Sequence, residues 1–150
     1  MKSNEFTSIE ICAGAGGQAL GLEMAGFRHI ACVENDPGAI ATLSFNRGTS
    51  WGVTQADVRG WKYSGTSDVT LLAGGVPCPP YSIAGKQLGE SDERDLFPEI
   101  IRLTSEIKPR VVLVENVRGL LSSKFADYRS RILESFHEMG YTGEWKLLQA

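Results

Sequence analysis

Short β-rich apolar runs alternate along this chain with stretches whose apolar residues recur at helical spacing. Ser8-Ile9-Glu10-Ile11-Cys12 reads as a strand, closed by the glycines Gly14, Gly16 and Gly17. A short helix follows to about Met24, and Gly26 fits its end. Arg28 to Val33 reads as a second strand. Asp36 then stands where an N-cap belongs, Pro37 takes the first helical position, and Ile40, Leu43 and Phe45 carry that helix on. Trp51 to Val58 holds at most one short edge strand. Val69 to Ala73 is a buried strand running into Gly-Gly-Val-Pro-Cys-Pro-Pro, and the polar stretch Ser82 to Arg94, with Gly85 and Gly89, reads as a mobile loop. Helical spacing resumes at Leu96, Ile100, Leu103 and Ile107, with Pro98 in the first turn, where a missing N–H is harmless. Arg110 to Val114 is the most β-rich run of all. Phe125, Tyr128, Ile132, Phe136 and Met139 form another helical stripe closed by Gly140, and Tyr141 to Leu148 reads as a final strand.

Strand and helix alternating in this way predict an α/β fold, a mostly parallel sheet with helices on both faces. Ligands bind such sheets beyond the carboxyl ends of the strands. The three most unusual segments, Ala13–Gly17, Pro77–Ser82 and Glu115–Val117, all fall at predicted strand C-termini. The chain has 150 residues, 42% apolar and 22% charged, which suits one folded domain over 1–150 and not a disordered chain. No apolar run approaches the roughly 18–20 residues of a membrane span, and the first residues lack the apolar core of a secretory signal. An intracellular protein without a membrane partner is therefore expected. A net charge of −3 argues against binding nucleic acid by bulk charge, although a local basic rim could still do so. The three cysteines form no Cys-x-x-Cys pair, so neither a disulfide framework nor a metal site is expected. His29 and His137 have no metal-ligand partner at useful spacing and read as ordinary residues of the fold.

The loop Cys12-Ala13-Gly14-Ala15-Gly16-Gly17 joins a strand directly to a helix, where glycines admit close backbone approach and the helix N-terminus favours an anionic group. Glu34 lies just past the second strand, where a carboxylate can accept hydrogen bonds from ribose hydroxyls. Asp57, after the short strand expected between Trp51 and Val58, can meet an adenine edge in the same way. A nucleoside-containing ligand follows, either a dinucleotide or S-adenosylmethionine. The plain alternative is a tight turn with two solvated carboxylates.

Cys78 is the informative thiol. Pro77, Pro79 and Pro80 fix the backbone around it and remove donors, so the loop is stiff and holds the sulfur in one direction. A nucleophile needs that; a small core residue, the ordinary role of free cysteine and the one that suits Cys12 and Cys32, does not. Glu115-Asn116-Val117 ends the strand expected beside the one leading into Cys78. A carboxyl straight after Val111-Val112-Leu113-Val114 is expected to be desolvated, which raises its pKa and lets it share a proton with a ring nitrogen. The pair suggests conjugate addition to an electron-poor ring, with Cys78 attacking one carbon and Glu115 stabilising charge at a nearby nitrogen. The ring then becomes nucleophilic at the adjacent carbon.

With these residues in view, the chain resembles the DNA (cytosine-5)-methyltransferase family along nearly its whole length. Glu10-Ile11-Cys12-Ala13-Gly14-Ala15-Gly16-Gly17 looks like the family's first cofactor motif, and Glu34-Asn35-Asp36-Pro37 like its second. Asp57 falls where the adenine-binding acid belongs, Gly75-Val76-Pro77-Cys78-Pro79-Pro80-Tyr81-Ser82 looks like the nucleophile loop, and Glu115-Asn116-Val117 like the glutamate motif. The resemblance implies a Rossmann-like methyltransferase fold and methyl transfer from S-adenosyl-L-methionine to C5 of a cytosine flipped out of double-stranded DNA, of the kind found in restriction-modification. Cys78 would add at C6, Glu115 would contact N3, and Asn116 would hold the nucleophile loop. Ser82 through Phe97 would form the loop that closes over the base. Pro77 and Leu96 would lie near the cofactor. Lys86, Arg94, Arg118 and Lys124 would be placed for phosphates.

Some positions depart from the family. Glu10 and Cys12 stand where Asp and Phe are usual, and the second change removes an aromatic face against the cofactor. Pro79-Pro80 replaces a more frequent Gln-containing version. The chain stops at Ala150, before the family's arginine-bearing motif, inserted antiparallel strand, target-recognition region and closing segment. The expectation is a fragment or one subunit of a split enzyme, weakly active or inactive alone and completed by a second polypeptide. The competing readings are a non-catalytic cofactor-binding or regulatory subunit, an NAD-dependent oxidoreductase, and a tRNA cytosine-5 methyltransferase.

Overall fold

The computed structural model describes residues 5–66, 68–77 and 95–149. Five strands, β1 (Phe6–Ile11), β2 (Phe27–Glu34), β3 (Val53–Gln55), β4 (Leu71–Gly75) and β5 (Val111–Glu115), form one sheet in the order β3-β2-β1-β4-β5. Every pairing in it is parallel. The order reverses at β1, between β2 and β4, which in such sheets is the point where ligands bind.

Helices α1 (Gly17–Met24) and α2 (Pro37–Arg47) serve one face, and α3 (Phe97–Ile107) and α4 (Ala126–Glu138) the other. The side-chain alternation of the strands decides the division. Ile9, Ile11, Val33 and Leu72 point to the side where Phe97, Ile100 and Leu103 of α3 and Ile132 and Phe136 of α4 cover them. Cys32, one residue out of phase with Val33, points the other way and is buried with Ala19, Leu43 and Trp51. Each such large side chain taken fully out of water contributes about 1.5–3 kcal/mol.

The local signals behave as their chemistry requires. Asp36 accepts from the Ala39 backbone N–H at 2.7 Å with Pro37 in the first turn, and α2 starts there. Pro98 falls in the first turn of α3, whose Phe97 N–H donates to Asp95. The edge strand expected between Trp51 and Val58 shrinks to three residues, because Gly48–Trp51 is a 3-10 turn that buries Trp51 against His29 instead. At Gly74, a Cβ would stand 2.8 Å from Ile11 Cγ1 and 3.2 Å from the Ile11 carbonyl oxygen, so the approach of β4 to β1 depends on its absence.

One expectation fails at the far edge of the sheet. Residues 141–149 are not a strand: they carry no regular secondary structure. β-structure needs a neighbour to take its backbone bonds, and the segment is held instead by the Tyr141 hydroxyl on the Pro109 carbonyl (2.6 Å) and by Trp145 packed on Phe97. β5 itself lies at the edge of the sheet, so the most β-rich run is only partly covered. Val112 and Val114 pack towards α3 and α4, while Val111, Leu113 and Glu115 are exposed on the opposite face.

Candidate active site

The carboxyl end of β1 turns sharply. Cys12 takes a left-handed backbone (φ 52°), unusual for a residue with a side chain. Gly16, at φ 94°, caps α1, and a Cβ on it would collide with Leu43 and Trp51 at 2.8 and 2.9 Å. Glu34 ties this loop to the end of β2. One carboxylate oxygen accepts from Gly14 N–H (2.8 Å), and the other accepts from Asn35 N–H (2.7 Å) and Asp36 N–H (2.8 Å). Those three donors leave the carboxylate about one of its roughly four acceptor positions.

Beyond these strand ends lies a hollow of about 450 Å³, walled by Cys12, Val33, Glu34, Asp57, Val58 and Leu96 and continued by Asn35, Ala56, Arg59, Gly75 and Pro77. Of the residues expected near a cofactor, Cys12, Glu34, Asn35, Asp57, Pro77 and Leu96 line it. Ala13, Gly14, Gly16 and Gly17 shape the loop from which Cys12 enters the hollow and are not themselves in its lining.

Asp57 sits on a turn: its Oδ1 accepts from Arg59 N–H (3.0 Å) and its Oδ2 from the Arg59 guanidinium (3.1 Å). The Arg59 backbone N–H, and after it the Arg59 charge, hold this carboxyl below the usual range. Burial, with the charges of Glu34 and Asp57 behind it, pushes the Cys12 thiol up to about 12. Cys12 therefore stays protonated at neutral pH and offers the hollow a small neutral surface, not a nucleophile.

Glu10 takes no part in the lining. It is buried under α1 at 1% exposure with no hydrogen-bond partner for its Oε2 among the described residues, and burial raises its carboxyl to about 7 against the opposing pull of the Ala19 backbone N–H. Beside it on β1, Ser8 bonds His29 at 2.9 Å, and the other ring nitrogen of His29 reaches the Ala19 carbonyl at 2.8 Å. Glu10 is thus part of the packing between β1 and α1, because its place on the strand faces the helix and not the carboxyl rim.

At the neighbouring strand ends, Gly75 is paired with Glu115, and a Cβ on Gly75 would lie 3.5 Å from Glu115 Oε2. Asn116 donates to the Val76 carbonyl (3.2 Å) and accepts from Val117 N–H (2.8 Å), fastening the end of β5 to the chain just after β4. The expected desolvation of Glu115 is not found: the side chain is exposed, and among the described residues no helix covers that face of β5. Cys78, Ser82, Lys86 and Arg94, and the loop expected over Ser82 to Arg94, lie outside the described residues. Arg118 is exposed in a 3-10 turn, and Lys124 lies against the Phe125 ring.

Arg59 and Arg102 were not singled out by the sequence. Arg59 was legible as a cation two positions after an acid. Arg102 was not, since its backbone partners, Val58 and Trp61, lie 44 and 41 positions earlier.

The model of the C-5 cytosine-specific DNA methylase family matches residues 6–150. The chain belongs to that family. It is 60% identical over 146 residues to the Type II methyltransferase M.NgoMIV of Neisseria gonorrhoeae, covering 97% of this chain and 46% of the relative. It is 53% identical over 144 residues to the Type II methyltransferase M.NaeI of Lentzea aerocolonigenes, covering 95% of this chain and 35% of that one. This methylase-family chain therefore spans less than half the length of these relatives. The crystal structure of a protein encoded within an Escherichia coli prophage, assigned there as a DNA modification methyltransferase, superposes with a TM-score of 0.74 at 28% identity, covering 89% of this chain and 38% of that one. No helix among the described residues is long and apolar enough to cross a membrane.

Proposed function

We propose that this chain is the cofactor-binding and catalytic part of an intracellular enzyme that methylates C5 of cytosine in double-stranded DNA, in the restriction-modification setting of its Type II relatives. The hollow suits an adenosyl group: Val33, Val58 and Leu96 give apolar walls for a flat base, and Glu34 and Asp57 give acceptors for hydroxyl and amino donors. When bound, S-adenosyl-L-methionine supplies an electrophilic methyl group. The remaining work belongs to the chain's own residues.

On this reading the Cys78 thiolate adds to C6 of a flipped cytosine, and its electron pair enters the ring. Glu115 contacts N3 and stabilises the charge that develops there, and C5 becomes nucleophilic. After C5 has gained the methyl group its proton leaves, the thiolate is expelled, and the ring recovers its double bond. Asn116 keeps the chain after β4 in register with Glu115. Ser82, Lys86, Arg94 and Arg118 serve the base and the flanking phosphates. The observation that carries the reading is the pairing of Gly75 with Glu115: the carboxylate stands beside the strand that continues through Pro77, a residue of the hollow, into Cys78.

The far edge of the sheet supports a partner. Between β5 and residues 141–145 lies a second hollow of about 370 Å³, and among the described residues the buried Trp145 Nε1–H has no acceptor. A further strand from outside these residues, carried by a second polypeptide or by a continuing chain, would pair with β5 there.

The test is covalent trapping. With the completing polypeptide, duplex DNA containing 5-fluorocytosine and S-adenosylmethionine, an adduct forms on Cys78 and none forms with Cys78→Ser, because fluorine at C5 cannot leave as a proton does. Methyl transfer to ordinary DNA without a trapped adduct would remove Cys78 from the mechanism.

A further inference from the structure

We infer that Arg102, on α3 and outside the hollow, is a positioning residue that sets the carboxylate of Asp57 and through it the selection of the cofactor's base; this rests on the reading of the hollow as an adenosyl site. Asp57 begins a turn with local bonds from Gly60 N–H to the Asp57 carbonyl (3.2 Å) and from Trp61 N–H to the Val58 carbonyl (3.2 Å), with Asp57 exposed and Val58 buried in the core. Apolar packing of Val58 and Trp61 attaches this turn to the core but is not directional, and Arg102 adds the directional tie to its backbone. One guanidinium nitrogen donates to the Val58 carbonyl (3.0 Å) and to the Trp61 carbonyl (3.1 Å), gripping the turn at both ends.

The fork is itself aimed. Its Nε donates to Glu99 (2.8 Å) and its remaining nitrogen to Glu106 (3.0 Å), one turn of helix to either side, and the side chain is only 28% exposed. A planar guanidinium with fixed donors can hold four acceptors in one geometry; a lysine ammonium on a flexible stem cannot. The same helix begins at Leu96 and Phe97, and Leu96 lines the hollow together with Val58. The start of α3 thus contributes to the wall of the hollow and, through Arg102, the helix also anchors the turn that carries Val58. The turn it anchors carries both Asp57 and the Arg59 that bonds it.

The experiment compares binding of S-adenosylhomocysteine with that of its inosine counterpart, which lacks the exocyclic amine, by titration calorimetry of the full chain. The unmodified protein prefers the adenosine compound by about tenfold or more, since only that compound donates to Asp57. Arg102→Ala, confirmed folded by circular dichroism and a cooperative melt, weakens adenosine binding about tenfold and inosine binding much less, so the preference collapses. Arg102→Lys gives an intermediate preference, and it decides the question should the alanine variant fail to fold. Loss of stability alone would weaken both compounds alike. An unchanged preference in folded Arg102→Ala or in Arg102→Lys, beside a collapse in Asp57→Ala, overturns the role of Arg102 and leaves the adenosyl site standing. An unchanged preference in Asp57→Ala, or no binding of either compound by the unmodified protein, overturns the adenosyl reading and the inference with it.

Discussion

The Gly14 amide donates to the Glu34 carboxylate at 2.8 Å, so the tip of the glycine loop and the end of β2 are fixed by one side chain. Glu34 also accepts from Asn35 and Asp36, which makes it a structural hub as well as a wall of the hollow. Glu34→Ala leaves three backbone donors to water and lowers stability by about 1–2 kcal/mol. It also weakens S-adenosylhomocysteine binding by about tenfold or more. Denaturant titration and calorimetry on the same preparation read the two effects. Unchanged affinity alongside lost stability would confine Glu34 to the fold.

Glu10 sets a pH dependence. Its carboxyl is raised to about 7 by burial, against an ordinary value near 4.5. The unfolded chain therefore releases this proton first, and stability from this group is complete below about 4.5, falls as pH rises towards 7 and is level above that. Glu10→Gln keeps the shape and removes the titration, so its stability relative to the unmodified protein grows across that interval, by roughly 3 kcal/mol at most. His29, whose pKa is lowered by burial, contributes the opposite slope on the acid side of its unfolded pKa. Comparing the two proteins at each pH cancels it. A difference that does not change with pH would show that Glu10 does not titrate in this range.

The signals that proved readable were local ones. Asp36-Pro37 starts a helix because a side-chain acceptor and a missing N–H act within a few residues, and the loop from Cys12 to Gly17 turns where its glycines allow. Glu115 and residues 141–149 resisted for the opposite reason. Burial of the first and pairing of the second depend on what lies against β5, and nothing within either segment encodes that. Arg102 sits in an ordinary amphipathic helix, where no spacing rule distinguishes a turn clamp from a solvated cation. Glu10 was placed on the right strand, but its position in the alternation, which turns it under α1, outweighed its position in a motif.

Gly74→Ala tests the contact between β1 and β4. The added methyl meets Ile11 side chain and backbone at 2.8 and 3.2 Å, and two paired strands cannot separate to admit it. A loss of about 1–3 kcal/mol is expected from the denaturant midpoint. A neutral result would mean that β1 and β4 stand further apart in solution.

Asn116→Asp keeps the acceptor for Val117 N–H and loses the donor to the Val76 carbonyl. One hydrogen bond of about 1 kcal/mol corresponds to a slowing of adduct formation of about five- to tenfold. Trapping rates with 5-fluorocytosine DNA provide the measurement. Equal rates would separate Asn116 from the nucleophile's support.

Tyr141→Phe removes the hydroxyl that reaches the Pro109 carbonyl. It should cost about 1 kcal/mol in global stability. Amide exchange over residues 141–149 should quicken by more than that figure implies, since this bond is a main tether of a segment without a strand partner. Equal exchange in both proteins would assign the tethering to Trp145.

β5 carries Val111 and Leu113 at 52% and 43% exposure beside an outer row of backbone groups that no strand among the described residues pairs with. Such a seam adheres to any extended peptide that offers matching amides, another molecule of the same kind included. Self-association at this border should therefore strengthen with protein concentration and respond little to salt, because the forces there are apolar and directional, not ionic. A soluble peptide that zips onto the seam would suppress it, and would do so most effectively if it also presented a carbonyl to the idle indole nitrogen of Trp145.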